Sequence, residues 1–301
     1  MRAAMLIAVT LVCPDPAAVD ALALRVGAAV ASLTGPVKRT EALGPGAVDL
    51  VVEAEQLTPV HLAARDAVGE APIDLCVQPW EGRRKKLLVA DMDSTIIGVE
   101  CLDELADFAG VKAAVSAITE RAMRGEIGFE GALKERVAML KGLSLSALEQ
   151  CYAQRVRLNP GARTMIATMS AHGARCVLVS GGFTFFTSRV AEAAGFHDQR
   201  ANTLIDDGKG ALTGAVGMPI LGREAKLTAL NEEAAALGVT PKDAIAIGDG
   251  ANDLAMIEAA GLGVAYRAKP LVAAQADAKI DHADLTALLY FQGYRHEQFL
   301  S

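Results

Sequence analysis

The sequence contains no apolar stretch approaching the length of a membrane-spanning helix, although 52% of its 301 residues are apolar. The apolar residues fall in short blocks broken by charge and glycine, which argues against a membrane protein. No basic block offsets the net charge of -7, so a nucleic-acid surface is not expected, while a locally positive site for a small anion remains open. There is no C-x-x-C spacing. Cys13, Cys76, Cys101, Cys151 and Cys176 are scattered and odd in number, and read as idle thiols in a reducing compartment, hence a cytoplasmic protein, not as disulfides or zinc ligands. The histidines (His61, His172, His197, His282, His296) all lie outside the polar clusters described next, so a histidine-based catalytic triad has no support. Neither an internal repeat nor a low-complexity tract is found. Met5 to Val12 follows Arg2 in a faint echo of a signal sequence, but the block is short and lacks a small-residue cleavage site. It is expected to be a buried first strand.

What is present is three polar clusters, each directly after a short apolar run. Asp91-Met92-Asp93-Ser94-Thr95 follows Lys86 to Ala90, Ser180-Gly181-Gly182 follows Arg175 to Val179, and Gly248-Asp249-Gly250-Ala251-Asn252-Asp253 follows Ala244 to Ile247. Runs of this length and aliphatic content suit strands buried on both faces. If they are parallel neighbours, the clusters meet at the carboxyl edge of one open sheet, where such sheets bind ligands. Carboxylates gathered there repel one another unless something positive holds them.

The rest of the chain arranges itself around that expectation. Residues 1–78 read as a βαββαβ module: strand Met5 to Val12, helix Pro16 to Leu33, hairpin Val37 to Leu43 and Val48 to Ala54, helix Thr58 to Val68, strand Ile73 to Val77. That order matches the ferredoxin-like split, and the module resembles amino-acid-binding regulatory domains of the ACT type. Pro79 to Arg84 marks a boundary. The α/β core, a Rossmann-like open parallel sheet, is expected over 85–98 and 158–301. Between them, residues 99–157 keep helical spacing almost throughout and form a helical cap over the site.

Each cluster has a chemical reading. Asp91 can attack phosphorus as a carboxylate nucleophile, and Asp93 can donate a proton to the leaving oxygen and later take one from water. Asp249 can ligate a metal, with Asp253 steadying its shell, and a hard, oxygen-ligated ion such as Mg²⁺ fits best. Ser180-Gly181-Gly182, ending a strand and opening a helix near Phe183, can seat an anion. Lys226 can offset the charge of a transferred phosphoryl group, although a lone lysine on an amphipathic helix is commonly just solvated.

The ordered set Asp91-x-Asp93-x-Thr95, Ser180, Lys226 and Gly248-Asp249-x-x-x-Asp253 resembles the haloacid dehalogenase superfamily in its phosphatase branch. Glu100, Met123-Arg-Gly-Glu-Ile-Gly-Phe129 and Arg136-Val-Ala-Met-Leu-Lys-Gly142 are similar to the cap signatures of its phosphoserine phosphatase family, over residues of about 85 to 290. The resemblance implies hydrolysis of O-phospho-L-serine through an aspartyl-phosphate, the last step of serine biosynthesis. It implies Mg²⁺ on Asp91, the Asp93 carbonyl and Asp249, and phosphate on Ser180, Gly181 and Lys226, with Asn252 in support. Glu100 would take the substrate ammonium and Arg136 its carboxylate, with Met123 and Phe129 closing over the stem. Taken singly these cap residues could equally be a helix-start acid, a surface arginine and ordinary core. A phosphatase or phosphotransferase acting on another small phosphorylated metabolite, such as phosphothreonine, is the nearest alternative. A non-enzymatic phosphoryl receiver and an amino-acid sensor are rivals of other kinds. A homodimer is left open.

Overall fold

Alternation of side chains along the first strand decides how the amino-terminal part is packed. The computed structural model describes residues 4–123 and 126–301, the Met123 side chain excepted. In β1 (Met5–Val12), Ile7, Val9 and Leu11 point into a cluster with Val26 and Val30 of α1 (Val19–Thr34), while Val12 joins the main core on the opposite face, as the two-residue period of a strand requires. A hairpin, β2 (Arg39–Gly44) and β3 (Ala47–Ala54), is followed by α2 (Leu57–Val68) and β4 (Asp74–Pro79). The four strands form an antiparallel sheet in the order β2-β3-β1-β4. The first helix begins three residues later than its spacing predicts, because Asp15 holds a turn by accepting Ala17 N–H on its side chain and Ala18 N–H on its carbonyl.

The second part is built on β5 (Leu87–Ala90), whose four residues are all fully buried. Its run is unbroken because both faces are covered: Leu88 and Ala90 face one apolar cluster, Leu87 and Val89 the other. Beyond a wide turn at 92–96 the chain enters α3 (Cys101–Phe108), α4 (Lys112–Met123), α5 (Phe129–Ala138) and α6 (Leu145–Arg155). It returns at Leu158, which bridges Ile97, and Asn159 binds the Thr95 and Ile96 carbonyls. Exit and return are thus stitched together at the base of the helical insertion.

After α7 (Ala162–Ala171) come β6 (Arg175–Phe183), α8 (Thr184–Ala194), β7 (Asp198–Asn202) and a hairpin of β8 (Leu204–Asp206) and β9 (Leu212–Val216). Then follow α9 (Glu224–Ala236), β10 (Ala244–Gly248), α10 (Leu254–Ala259), β11 (Leu262–Tyr266), α11 (Pro270–Gln275), β12 (Ala278–Ile280) and α12 (Ala287–Phe291). Six strands make a parallel sheet in the order β12-β11-β10-β5-β6-β7.

Three features depart from the sequence reading. β7 is a polar edge strand, so no apolar run marks it. The helices α11 and α12 are too short for periodicity to reveal. Strand β6 does not end at Val179 but runs through Ser180-Gly181-Gly182 to Phe183, with a register shift against β7. The Asn202 side chain reaches across to the Gly181 carbonyl at 2.9 Å and holds the glycine segment to its neighbour. Ser180 and Gly181 therefore do not sit at a helix start, since α8 begins only at Thr184.

The two parts meet over a polar seam. Asp74 accepts backbone N–H groups from Asp281, His282 and Ala283 at 2.8, 3.1 and 2.8 Å. Asp49, fully buried, pairs with Arg83 at 2.6 Å and accepts from Thr10. Arg83 and Arg39 both lie against the Trp80 ring, at 4.0 and 4.6 Å from its centroid.

Candidate active site

The carboxyl ends of β5, β10 and β6 are adjacent, which brings the three polar clusters to one crest. Asp91 leaves β5 with its N–H on the Ile247 carbonyl of β10, at 3.0 Å. At the end of β10 a Cβ on Gly248 would stand 2.4 Å from the carboxyl carbon of the buried Asp253, so only glycine fits there, while one on Gly250 would stand 2.3 Å from Oδ1 of the exposed Asn252 side chain, which can swing aside. These missing side chains let Asp253 fold back under the crest, where its Oδ2 accepts the Gly250 N–H at 3.0 Å.

Lys226, on α9, reaches up between the strands and is almost fully buried. Its ammonium donates to Asp91 Oδ1 and to Asp253 Oδ1, each at 2.5 Å. Burial alone would lower its pKa, but the charges of Asp91 and Asp253 outweigh that and raise it. Oxygens of Asp91, Asp249 and Asp253 all lie within 4.8 Å of one another. Burial and the Asp253 charge push the Asp91 carboxyl well above the usual range, against the opposing pull of Lys226. Asp249 is pushed up to about 6 by burial and by the charges of Asp253 and Glu100. With the three carboxylates ionised, one ammonium leaves two negative charges unbalanced. A hard divalent cation fits that deficit and that all-oxygen donor set.

Asp93 lies beside this group with its carboxylate turned elsewhere. Its Oδ1 accepts the Cys101 N–H at 3.1 Å and its Oδ2 faces the Ser180 hydroxyl at 3.5 Å. Burial first, then the Glu100 charge, pushes it up to about 7. Ser180 Oγ also accepts the Gly182 N–H at 2.9 Å. From the helical insertion, Phe129 covers the glycine segment; a Cβ on Gly181 would meet its ring at 3.5 Å and one on Gly222 at 3.7 Å. Arg136, half-buried on α5, bonds only the Ala132 carbonyl at 3.3 Å and has no salt bridge among the described residues. Burial lowers its pKa, opposed by the charges of Asp103 and Glu100. Glu100 is exposed and acts electrostatically on Asp93, Asp249 and Arg136, so it faces the same space. Asn252 is exposed above Gly250. The Met123 side chain lies outside the described residues.

Some residues that shape the site escaped the sequence reading. Asn202 binds the Gly181 and Leu221 carbonyls and the Leu221 N–H, and Cys101 supplies the N–H that orients Asp93. Both act through pairings distant in the chain, and no local pattern marks them. Lys269, whose N–H reaches the Asp249 carbonyl at 3.2 Å, also lowers the Asp249 pKa by its charge.

The family model of haloacid dehalogenase-like hydrolases matches residues 88–258. A phosphoserine phosphatase of a Polaromonas species is 49% identical over 209 residues, 68% of this chain and 88% of that one. Among solved structures, a HAD family hydrolase of Salmonella enterica serovar Typhi superposes with a TM-score of 0.83 at 30% identity, covering 95% of this chain and 98% of that chain. A probable phosphoserine phosphatase from Vibrio cholerae gives 0.76 at 30% identity, covering 97% and 88%. The chain belongs to the haloacid dehalogenase-like hydrolase family.

Proposed function

We propose that this hydrolase is a Mg²⁺-dependent phosphomonoesterase that cleaves O-phospho-L-serine to serine and phosphate. The observation that carries the reading is a buried lysine clamped between Asp91 and Asp253, beside Asp249, under an insertion whose half-buried Arg136 has no carboxylate of its own among the described residues. A planar guanidinium without a partner suits a substrate carboxylate, and Glu100 suits an ammonium. The 49% identity to a phosphoserine phosphatase over most of that relative's length supports the same substrate.

In the proposed mechanism Asp91 attacks phosphorus in line and becomes an aspartyl-phosphate. Lys226, already at the Asp91 carboxylate, offsets charge on the transferring group, and the Ser180 hydroxyl and Gly181 N–H hold its oxygens. Asp93, protonated in part at neutral pH because its pKa stands at about 7, gives its proton to the seryl oxygen as that bond breaks. It then takes one from the water that hydrolyses the intermediate. Mg²⁺ held by Asp91, the Asp93 carbonyl and Asp249, with Asp253 alongside, would supply the charge that lets an anionic nucleophile approach an anionic phosphate. Phe129, which lies over the glycine segment, would screen the bound stem from water.

The amino-terminal βαββαβ segment is proposed as a ferredoxin-like module of the ACT type, and the protein as cytoplasmic. The five cysteines, all free and buried, suit a reducing compartment. No helix among the described residues is long and apolar enough to cross a membrane.

The test is phosphate release from O-phospho-L-serine, O-phospho-L-threonine and a simple alkyl phosphate, with Mg²⁺ and with chelator. Release fastest from phosphoserine and lost on chelation is expected. Equal rates on all three would overturn the substrate, and indifference to chelator the metal.

A further inference from the structure

Ser94 stands in the left-handed region, at φ 58° and ψ 1°, where a residue with a Cβ is strained. Such strain persists where surrounding contacts enforce it, and it concentrates at functional positions. Here the Ser94 N–H closes a loop onto the Val99 carbonyl at 3.4 Å, and the Ser94 hydroxyl donates to Glu100 Oε1 at 2.7 Å. Among the described residues no hydrogen bond falls to Glu100 Oε2. The exposed Glu100 carboxylate, on a flexible side chain at the N-cap of α3, is thereby held by one oxygen with the other free to face the site.

We propose that Ser94 is a positioning residue for substrate selection: its hydroxyl fixes the Glu100 carboxylate so that the free oxygen meets the ammonium of an amino-acid phosphate. This rests on the reading of Glu100 as the ammonium's partner. A pre-oriented carboxylate loses less side-chain freedom on binding, so the contribution goes to the affinity for ammonium-bearing substrates.

The experiment compares O-phospho-L-serine with 3-phosphoglycerate, which carries a hydroxyl where phosphoserine carries its ammonium, in the unaltered protein and in Ser94→Gly. Glycine adopts φ 58° without strain, so the substitution removes the hydroxyl and relieves the backbone. The ratio of kcat/KM for the two substrates is expected to fall about tenfold, mainly through KM for phosphoserine. In a Glu100→Ala background the same substitution should leave the ratio unchanged, because the two side chains act as a unit. An unchanged ratio in the single variant, including an equal loss on both substrates, would overturn the proposal. If the unaltered protein does not favour phosphoserine over 3-phosphoglycerate, the reading of Glu100 fails first and takes this inference with it.

Discussion

Two regions of the molecule bury carboxylates, and they treat them in opposite ways. At the seam between the two parts, Asp74 is surrounded by three backbone N–H donors and Asp49 by Arg83 and Thr10. At the crest of the parallel sheet, Asp91 and Asp253 share the buried Lys226, while Asp249 has no salt bridge among the described residues and feels Lys226 and the exposed Lys269 only through their charge. The seam's acids are satisfied within the protein, which is how a buried charge serves docking. The crest is left short of positive charge, a deficit that a hard divalent cation fits. Burial by itself therefore does not mark a functional carboxylate, whereas an unbalanced group of them does.

The comparison breaks most visibly at the proposed nucleophile. Asp91→Asn should lower kcat by about four orders of magnitude or more and abolish a trapped phosphoenzyme; turnover near the unaltered rate would remove Asp91 from that role. Next in size is Asp93→Asn, expected to slow single-turnover release of serine from phosphoserine by about 10²- to 10⁴-fold, and release of nitrophenolate from 4-nitrophenyl phosphate far less, because a good leaving group needs no proton; breakdown of the phosphoenzyme should slow for both. Since the Asp93 pKa is raised to about 7, the acid form is present below that pH and lost above it. The bond-breaking step on phosphoserine should therefore slow as pH rises through about 7, while the nitrophenyl ester stays flatter in single-turnover rates.

Smaller effects on stability sharpen the contrast, because they should differ in sign. Asp74→Asn keeps one accepting oxygen but sets an amide NH2 against one of the three N–H donors, and should destabilise the protein by about 1–3 kcal/mol in denaturant unfolding, with kcat little changed. Asp249→Asn should remove activity and yet raise the Tm of the metal-free protein, because it relieves repulsion from Asp253 and Glu100. The gain should shrink as pH falls below about 6, where the raised Asp249 carboxyl takes up a proton and the repulsion disappears. Stability losses at both positions would erase the distinction.

Much of the crest could be read in the sequence because doubly covered parallel strands must be continuous apolar runs. The polar residues that follow Ala90 and Ile247 therefore advertise strand ends. The glycines of β6 misled for a physical reason: Ser180-Gly181-Gly182 has the composition of a turn, but the Asn202 amide keeps it extended against its neighbour. The polar strand β7 lacks the alternation that marks a half-buried strand. Apart from the family resemblance, Lys226 could be suspected only from the need for a cation, since its clamp spans 135 residues to Asp91. The seam was invisible for the same reason: Asp49 with Arg83, and Asp74 with the 281–283 backbone, are pairings that no local pattern encodes.

The most direct measurement is a calorimetric titration of the metal-free protein with Mg²⁺, repeated on Asp249→Asn. Saturable binding of a single ion per chain in the unaltered protein, lost in the variant, is the predicted result. Undiminished binding in Asp249→Asn, or none in the unaltered protein, would contradict a crest built to be completed by a cation.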